Sequence, residues 1–304
     1  MATSDLFAGF RSERIELGSF TAFARVGGAG PPLLLLHGYP QTHACWHKIA
    51  AALAAKFTVV AADLRGYGGS SVAADEAGGH FAYSKRRMAE DAVALMQRLG
   101  HRRFVVAGHD RGGRVAYRLA LDHPQAMIAV AVLDIVPTAF VWRGMDRATA
   151  IKSYHWPFLA QPTPLPETLI ASAPQFYADW TLASWTKSRD LGCFDAAALA
   201  DYRRNFIDPG HRHAMCEDYR AGATIDRQLD EADLAAGRRI AAPLLALWGT
   251  DYVGRGADSP IETWRQLAEQ VDGNAIDAGH FLAEENPAAT LRLLTAFLER
   301  TIAS

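Results

Sequence analysis

Apolar positions along this chain fall into two alternating rhythms, and the alternation sets the architecture. Short, predominantly apolar runs at residues 33–36, 57–64, 104–107, 128–136 and 243–248 each end in residues that release the chain into a loop. Runs of this length bounded by turn residues predict strands buried on both faces. Between them, segments 43–55 and 84–99 carry apolar residues at helical spacing, the second at Met88, Val93, Leu95, Met96 and Leu99. Residues 14–26 alternate weakly and break at Gly18-Ser19, which predicts a hairpin at a sheet edge. Toward the end the pattern predicts a helix over 261–271, a short strand over 274–278 and a last helix over 287–301. Strands and helices in alternation predict a mostly parallel sheet with helices on both faces.

Between residues 138 and 241 the rhythm stops. Prolines gather at Pro157, Pro162, Pro164 and Pro166, aromatic residues are frequent, and no buried strand is evident. The segment is expected to be a helical cap domain inserted into a core domain made of residues 1–137 and 242–304.

With 304 residues the chain can form one large core plus a smaller insert. A net charge of −2 gives no electrostatic reason to expect nucleic acid or a membrane surface as partner. The start lacks the basic and apolar regions of a signal peptide, and no apolar run reaches membrane-spanning length, so a cytoplasmic protein is expected. Cys45, Cys193 and Cys216 are odd in number and far apart, which argues against a disulfide framework or a thiolate metal site.

The chemistry concentrates at Gly108-His109-Asp110-Arg111-Gly112, where an apolar run stops and a helical pattern starts. The spelling is that of the Gly-x-Ser-x-Gly turn with a carboxylate in the serine position. Asp is also a favoured helix N-cap, so Asp110 alone supports either reading. Asp134 stands at the end of one predicted strand, Asp251 follows another, and His280 stands on a late loop, Gly279-His280-Phe281-Leu282. That nucleophile–acid–histidine order, with His37-Gly38-Tyr39-Pro40 after an early strand, resembles the α/β-hydrolase fold with a helical cap over nearly the whole chain.

An aspartate nucleophile narrows the reaction. Attack on an acyl carbonyl would make an anhydride, whereas attack on an sp³ carbon bearing a leaving group makes an alkyl ester that an activated water can open. Dehalogenases and epoxide hydrolases use this logic. Arg111 follows the nucleophile and Arg114 lies about one helical turn on, cations that oppose the helix dipole unless an anion binds there. Either they grip a substrate carboxylate, or they pair with acids elsewhere in the fold. Asp-Arg-Gly-x-Arg at this turn resembles the fluoroacetate and haloacetate dehalogenases in particular.

That resemblance implies a hydrolase acting on carbon–halide bonds, with Asp110 as nucleophile, His280 activating water, and Asp134 orienting His280. Asp251, in a spacing one residue short of the usual one, is the alternative acid. It further implies Arg111 and Arg114 on the substrate carboxylate, and His155, Trp156 and Tyr219 as halide donors. Backbone N–H groups of Tyr39 and Arg111 would form the oxyanion hole. Gly113 and Pro157 have no match in the family's pattern. No cofactor and no metal are implied; the partners are a small 2-haloacid such as haloacetate and, by resemblance, a second copy in a homodimer. Without the resemblance, His155 and Trp156 read as cap packing. The alternatives are an epoxide hydrolase using Asp110 with Tyr219 and Tyr154, and a non-catalytic binding protein on the same fold.

His43 and His47, spaced four apart, and His211-Arg212-His213 near Cys216 could suggest metal ligands, but lack the accompanying glutamate or ligand spacing and read as surface or packing. The glycines of Gly66-Tyr67-Gly68-Gly69 lack the lysine of a phosphate loop and read as a turn.

Overall fold

The computed structural model describes residues 5–73, 78–253 and 259–302. Eight strands form one sheet: β1 (Arg11–Glu16), β2 (Thr21–Gly27), β3 (Pro32–Leu36), β4 (Thr58–Ala62), β5 (Phe104–His109), β6 (Met127–Leu133), β7 (Leu244–Gly249) and β8 (Val271–Ile276). Their spatial order is β1-β2-β4-β3-β5-β6-β7-β8. The two first strands form the expected antiparallel edge hairpin, and β2 meets β4 antiparallel. All other pairings are parallel. Every residue of β5 is buried, as a strand covered on both faces must be.

The core helices are α1 (His47–Ala54), α2 (Lys85–Arg98) and α3 (Arg111–Asp122). Ser84 caps α2 by accepting from the Arg87 N–H. Between β6 and β7 the chain runs through eight helices: α4 (Thr138–Arg143), α5 (Arg147–Lys152), α6 (His155–Leu159), α7 (Leu165–Ser172), α8 (Pro174–Trp185), α9 (Ala196–Ile207), α10 (Pro209–Ala223) and α11 (Ile225–Ala235). This helical insert is tied to the core from below. Tyr117 of α3 donates to Asp230 Oδ2 at 2.7 Å, and Arg118 donates to Asp230 at 3.0 Å and to Asp233 at 2.6 Å. The chain closes with α12 (Pro260–Trp264), α13 (Leu282–Glu285) and α14 (Pro287–Ile302).

Two expected elements change shape. The helix expected over 43–55 opens as a 3₁₀ turn, His43–Trp46, before α1 begins. The helix expected over 261–271 stops at Trp264, and the strand begins at Val271 rather than 274. Its apolar residues Leu267 and Ala268 serve another purpose: Ala268 bridges to Ile240 and both are buried. Apolar residues at helical spacing read as one helix through 271, but here Leu267 and Ala268 fill the core from the turn beyond Trp264.

Parallel register places the carboxyl ends of β3 to β8 on one side. Leu36 stands opposite Gly108, and Gly108 and His109 stand opposite Val132 and Leu133. The loops after β3, β5, β6 and β8 therefore converge, carrying Tyr39, Asp110, Asp134 and His280 to the carboxyl edge of the sheet, where ligands bind in such folds.

Candidate active site

Asp110 occupies the turn between β5 and α3 with φ 46° and ψ −114°. Such a backbone costs on the order of 1–3 kcal/mol for a non-glycine residue. Although it stands at the N-cap position, its side chain makes no capping bond. Oδ1 instead accepts from the Tyr39 N–H at 2.9 Å. The turn depends on its glycines: a Cβ at Gly38 would come within 2.4 Å of Asp110 Cβ, and one at Gly112 within 2.3 Å of the His37 carbonyl oxygen. Gly113 belongs to the same packing, since a Cβ there would sit 2.9 Å from the Gly108 carbonyl oxygen.

His280 faces Asp110 with Nε2 3.8 Å from Oδ2, and Nε2 is buried without a hydrogen-bond partner among the described residues. On its other side Nδ1 lies 2.5 Å from Asp134 Oδ2. Asp134 is fixed in turn: its N–H donates to the Leu247 carbonyl at 2.7 Å, and its Oδ1 accepts from the Gly249 N–H at 2.9 Å. Asp251 is engaged elsewhere, accepting from Arg189 at 2.9 Å. Of the two acids left open by the sequence, Asp134 is the one that touches His280.

Electrostatics separate the two aspartates. Burial pushes Asp110 up, but His280, Arg114, His109 and Arg111 outweigh it and hold its carboxyl below the ordinary value. Burial also pushes Asp134 up, and there the bonds from His280 and Gly249 do not cancel it. Of the two, Asp110 is the aspartate whose ionised form its surroundings favour.

The two arginines differ. Arg111 is fully buried and its guanidinium is held by Asp218, with Nε 3.1 Å and Nη2 2.5 Å from Oδ1 and Nη2 2.6 Å from the Asp218 carbonyl oxygen. Its Nη1 has no partner among the described residues. Arg114 donates Nη1 to the Val136 carbonyl at 2.9 Å and to Thr138 Oγ1 at 3.2 Å, and its Nε is unpartnered and buried. The expectation that these arginines either hold a ligand or pair with acids resolves unequally: Arg111 does pair with an acid, and Arg114 is paired with none in this way. Each nevertheless keeps one buried N–H unsatisfied.

Over them lies an aromatic roof from the insert. The Arg111 guanidinium sits 4.2 Å from the Tyr219 ring centroid, and that of Arg114 sits 4.6 Å from Trp156. Trp156 meets Tyr219 edge to face at 5.7 Å, as does His155 at 5.7 Å. Burial lowers His155 to about 3, so the ring is neutral, and its Nδ1 is unpartnered. A cavity of about 470 Å³ opens here, lined among others by Asp110, Arg114, His155, Trp156, Tyr252 and His280.

Three contacts were not legible in the sequence. Trp185 at the end of α8 packs 4.4 Å from His155 and 5.4 Å from His280, and its carbonyl accepts from the His280 N–H at 2.9 Å. Tyr252 stacks 4.4 Å from His280. Asp218, beside Tyr219, holds Arg111. The histidines weighed as metal ligands take other partners: His43 bonds Asp63 at 3.0 Å, His47 the Ala44 carbonyl, His211 the Gly66 carbonyl and His213 Glu167.

Comparison with known proteins agrees with the geometry. Residues 31–287 match the α/β-hydrolase fold family. A fluoroacetate dehalogenase from Burkholderia sp is 42% identical over 295 residues, 96% of this chain and 95% of that protein. A soluble epoxide hydrolase from Corynebacterium sp. (strain C12) is 30% identical over 280 residues, 86% of this chain and 87% of that one. Among solved structures, a chain from Nostoc sp PCC 7120 described as an α/β hydrolase superposes with a TM-score of 0.92 at 48% identity, covering 96% of this chain and 99% of its own. The chain therefore belongs to the α/β-hydrolase fold family, and within that family it resembles the haloacetate dehalogenases.

Proposed function

We propose that this protein hydrolyses the carbon–halogen bond of a small 2-haloacid such as haloacetate, giving the 2-hydroxy acid, halide and a proton. The observation that carries the reading is the set of three chemistries near Asp110: two guanidinium groups that each keep an unsatisfied N–H, the aromatic residues stacked over them, and His280 facing the carboxylate. An anionic substrate would set its carboxylate on Arg111 Nη1 and Arg114 Nε, with charge-assisted hydrogen bonds fixing the α-carbon against Asp110.

A carboxylate oxygen of Asp110 then attacks that carbon. The carbon–halogen pair departs as halide toward His155, Trp156 and Tyr219, whose neutral donors stabilise charge only as it develops. The product of this step is an ester of Asp110. His280 Nε2 takes a proton from water, and the hydroxide adds to the Asp110 carbonyl carbon. The oxyanion meets the Tyr39 N–H, already 2.9 Å from Asp110 Oδ1, and the Arg111 N–H, a first-turn amide without an acceptor inside its helix. Collapse expels the alkoxide, which takes the proton left on the added hydroxyl and leaves as the hydroxy acid; the Asp110 carboxylate is restored with one oxygen from water, and His280 gives its proton to solvent. Asp134 holds His280 in the tautomer this requires.

The test is a single turnover of chloroacetate or fluoroacetate in water labelled with heavy oxygen. Label is expected in Asp110 after one turnover; an unlabelled Asp110 with labelled product would sink the ester route. A second reading, hydrolysis of a neutral epoxide, draws on the same nucleophile with Tyr219 protonating the opened ring and on the 30% identical epoxide hydrolase. Faster turnover of neutral epoxides than of haloacetates would promote it.

A further inference from the structure

Beside the segment Phe281–Glu284 that follows His280 lies a much smaller cavity of about 10 Å³. Its wall includes Gln41, Trp46, His109, Phe281 and Glu284. Three polar atoms from these residues are buried and have no hydrogen-bond partner among the described residues: Gln41 Oε1, Trp46 Nε1 and Glu284 Oε1. All three side chains are nearly inaccessible, at 1%, 0% and 2%. Their remaining polar atoms are committed, since Glu284 Oε2 accepts from Gln41 Nε2 and from the Tyr202 hydroxyl.

We infer that this cavity is a binding site for one internal water molecule. Chemistry selects the occupant. Gln41 Oε1 is an acceptor, Trp46 Nε1 only a donor, and Glu284 Oε1 an acceptor when ionised. A cation would be repelled by the indole N–H and an anion by the two oxygens. Water accepts from Trp46 and donates to both oxygens. Were Glu284 protonated on Oε1, water would accept from it and still donate to Gln41, so the count closes in both states. The volume is about what one water needs and leaves no room for a second. Buried polar groups in native proteins are almost always satisfied, by protein or by ordered water.

The water joins three pieces of chain that frame the candidate catalytic histidine. Gln41 comes from the loop after β3, Trp46 from the turn before α1, and Glu284 from α13, which begins two residues after His280. His109, also on the wall, donates Nε2 to the His280 carbonyl at 2.8 Å. The site is thus a support behind the histidine loop, and it stands whatever reaction the front of the loop performs.

A high-resolution crystal structure of the whole chain tests it. One ordered water is expected within hydrogen-bond distance of all three atoms, and the same crystals of Trp46→Phe should have lost it or show it displaced. In solution, with ¹⁵N-labelled tryptophan, the indole N–H signal that disappears in Trp46→Phe should show magnetisation transfer from a long-lived water. Should Trp46→Phe not fold, Trp46 is identified by selective labelling and the wild-type signal alone decides. Ordered Gln41, Trp46 and Glu284 side chains with no density between them, or an indole N–H with no transfer from water, overturns the inference.

Discussion

Arg111 spends two of its nitrogens on Asp218, with Nη2 2.5 Å and Nε 3.1 Å from a single carboxylate oxygen, and keeps Nη1 for something else. Asp218 is the hub of a buried cluster: Lys85 donates to the same oxygen, and the Tyr67 hydroxyl donates to Oδ2 at 2.8 Å. Burial holds Lys85 below its ordinary value, and Arg111 adds to that, while Asp218 and Asp226 oppose it. Replacing Asp218 by Asn removes the anion between two buried cations. The chain is expected to lose about 3–5 kcal/mol of stability, the usual cost of breaking a buried pair on one side. Urea unfolding of the variant measures it, and an unchanged midpoint would mean that Asp226 compensates.

Among the described residues Arg114 has no carboxylate partner of that kind; it donates to the Val136 carbonyl and Thr138 Oγ1. Its charge is therefore the more available to a bound anion, and a lysine cannot reproduce the Nε–H edge of a guanidinium. Arg114→Lys is expected to raise KM for haloacetate about 10- to 100-fold, the equivalent of one charge-assisted hydrogen bond. A neutral substrate, if any is turned over, should be unaffected. Steady-state kinetics on both substrate types would expose the opposite pattern, in which loss is equal for neutral and anionic substrates and Arg114 acts only through the fold.

The elbow should tolerate no side chain at its second glycine. A Cβ at Gly112 meets the His37 carbonyl oxygen at 2.3 Å and the Leu36 carbonyl oxygen at 2.5 Å, both backbone atoms at the end of a central strand. Gly112→Ala is expected to destabilise by roughly 4 kcal/mol or more, among the largest single-residue effects. At Gly113 the nearest atoms lie at 2.9 Å and one of them is the movable tip of Ile135, so Gly113→Ala should cost visibly less. Comparing thermal unfolding of the two variants checks the order.

Much of this was legible in the residues because the physics involved is local. A buried parallel strand must be apolar throughout, and a strained strand-to-helix turn must carry glycines, so β3, β5 and the Asp110 turn announce themselves. Chain order placed His280 and left two acids for it. Choosing between Asp134 and Asp251 needed the register that lays β6 beside β7, which no spacing encodes. Asp218 was out of reach for a related reason. It touches Arg111 across 107 positions of chain, and an aspartate in a helix next to Tyr219 looks like any solvated acid until the insert folds over α3. Trp185 and Tyr252, both against His280, were hidden among many other aromatic residues. The error over 261–271 came from apolar residues at helical spacing, of which Leu267 and Ala268 fill the core without being helical.

Two buried histidines contribute to the acid side of the stability curve. Burial lowers His109 and His155 to about 3 each, well below the ordinary value. Their folded pKa values are depressed, so between about pH 6.5 and 3 the unfolded chain binds more protons than the folded one at these sites, and stability falls as pH falls. The contribution is complete above about pH 6.5 and is lost progressively below it. Once the unfolded histidines are largely protonated, the pair should contribute a slope on the order of 3 kcal/mol per pH unit, about half from each. Urea unfolding at a series of pH values between 7 and 4.5 gives the slope for the wild type. His155→Asn and His109→Asn should each lower it by about one proton's worth. A slope that neither substitution changes would show that these rings are charged, or reached by water, in the folded protein. A neutral donor at His155 for the departing halide would then have to be abandoned.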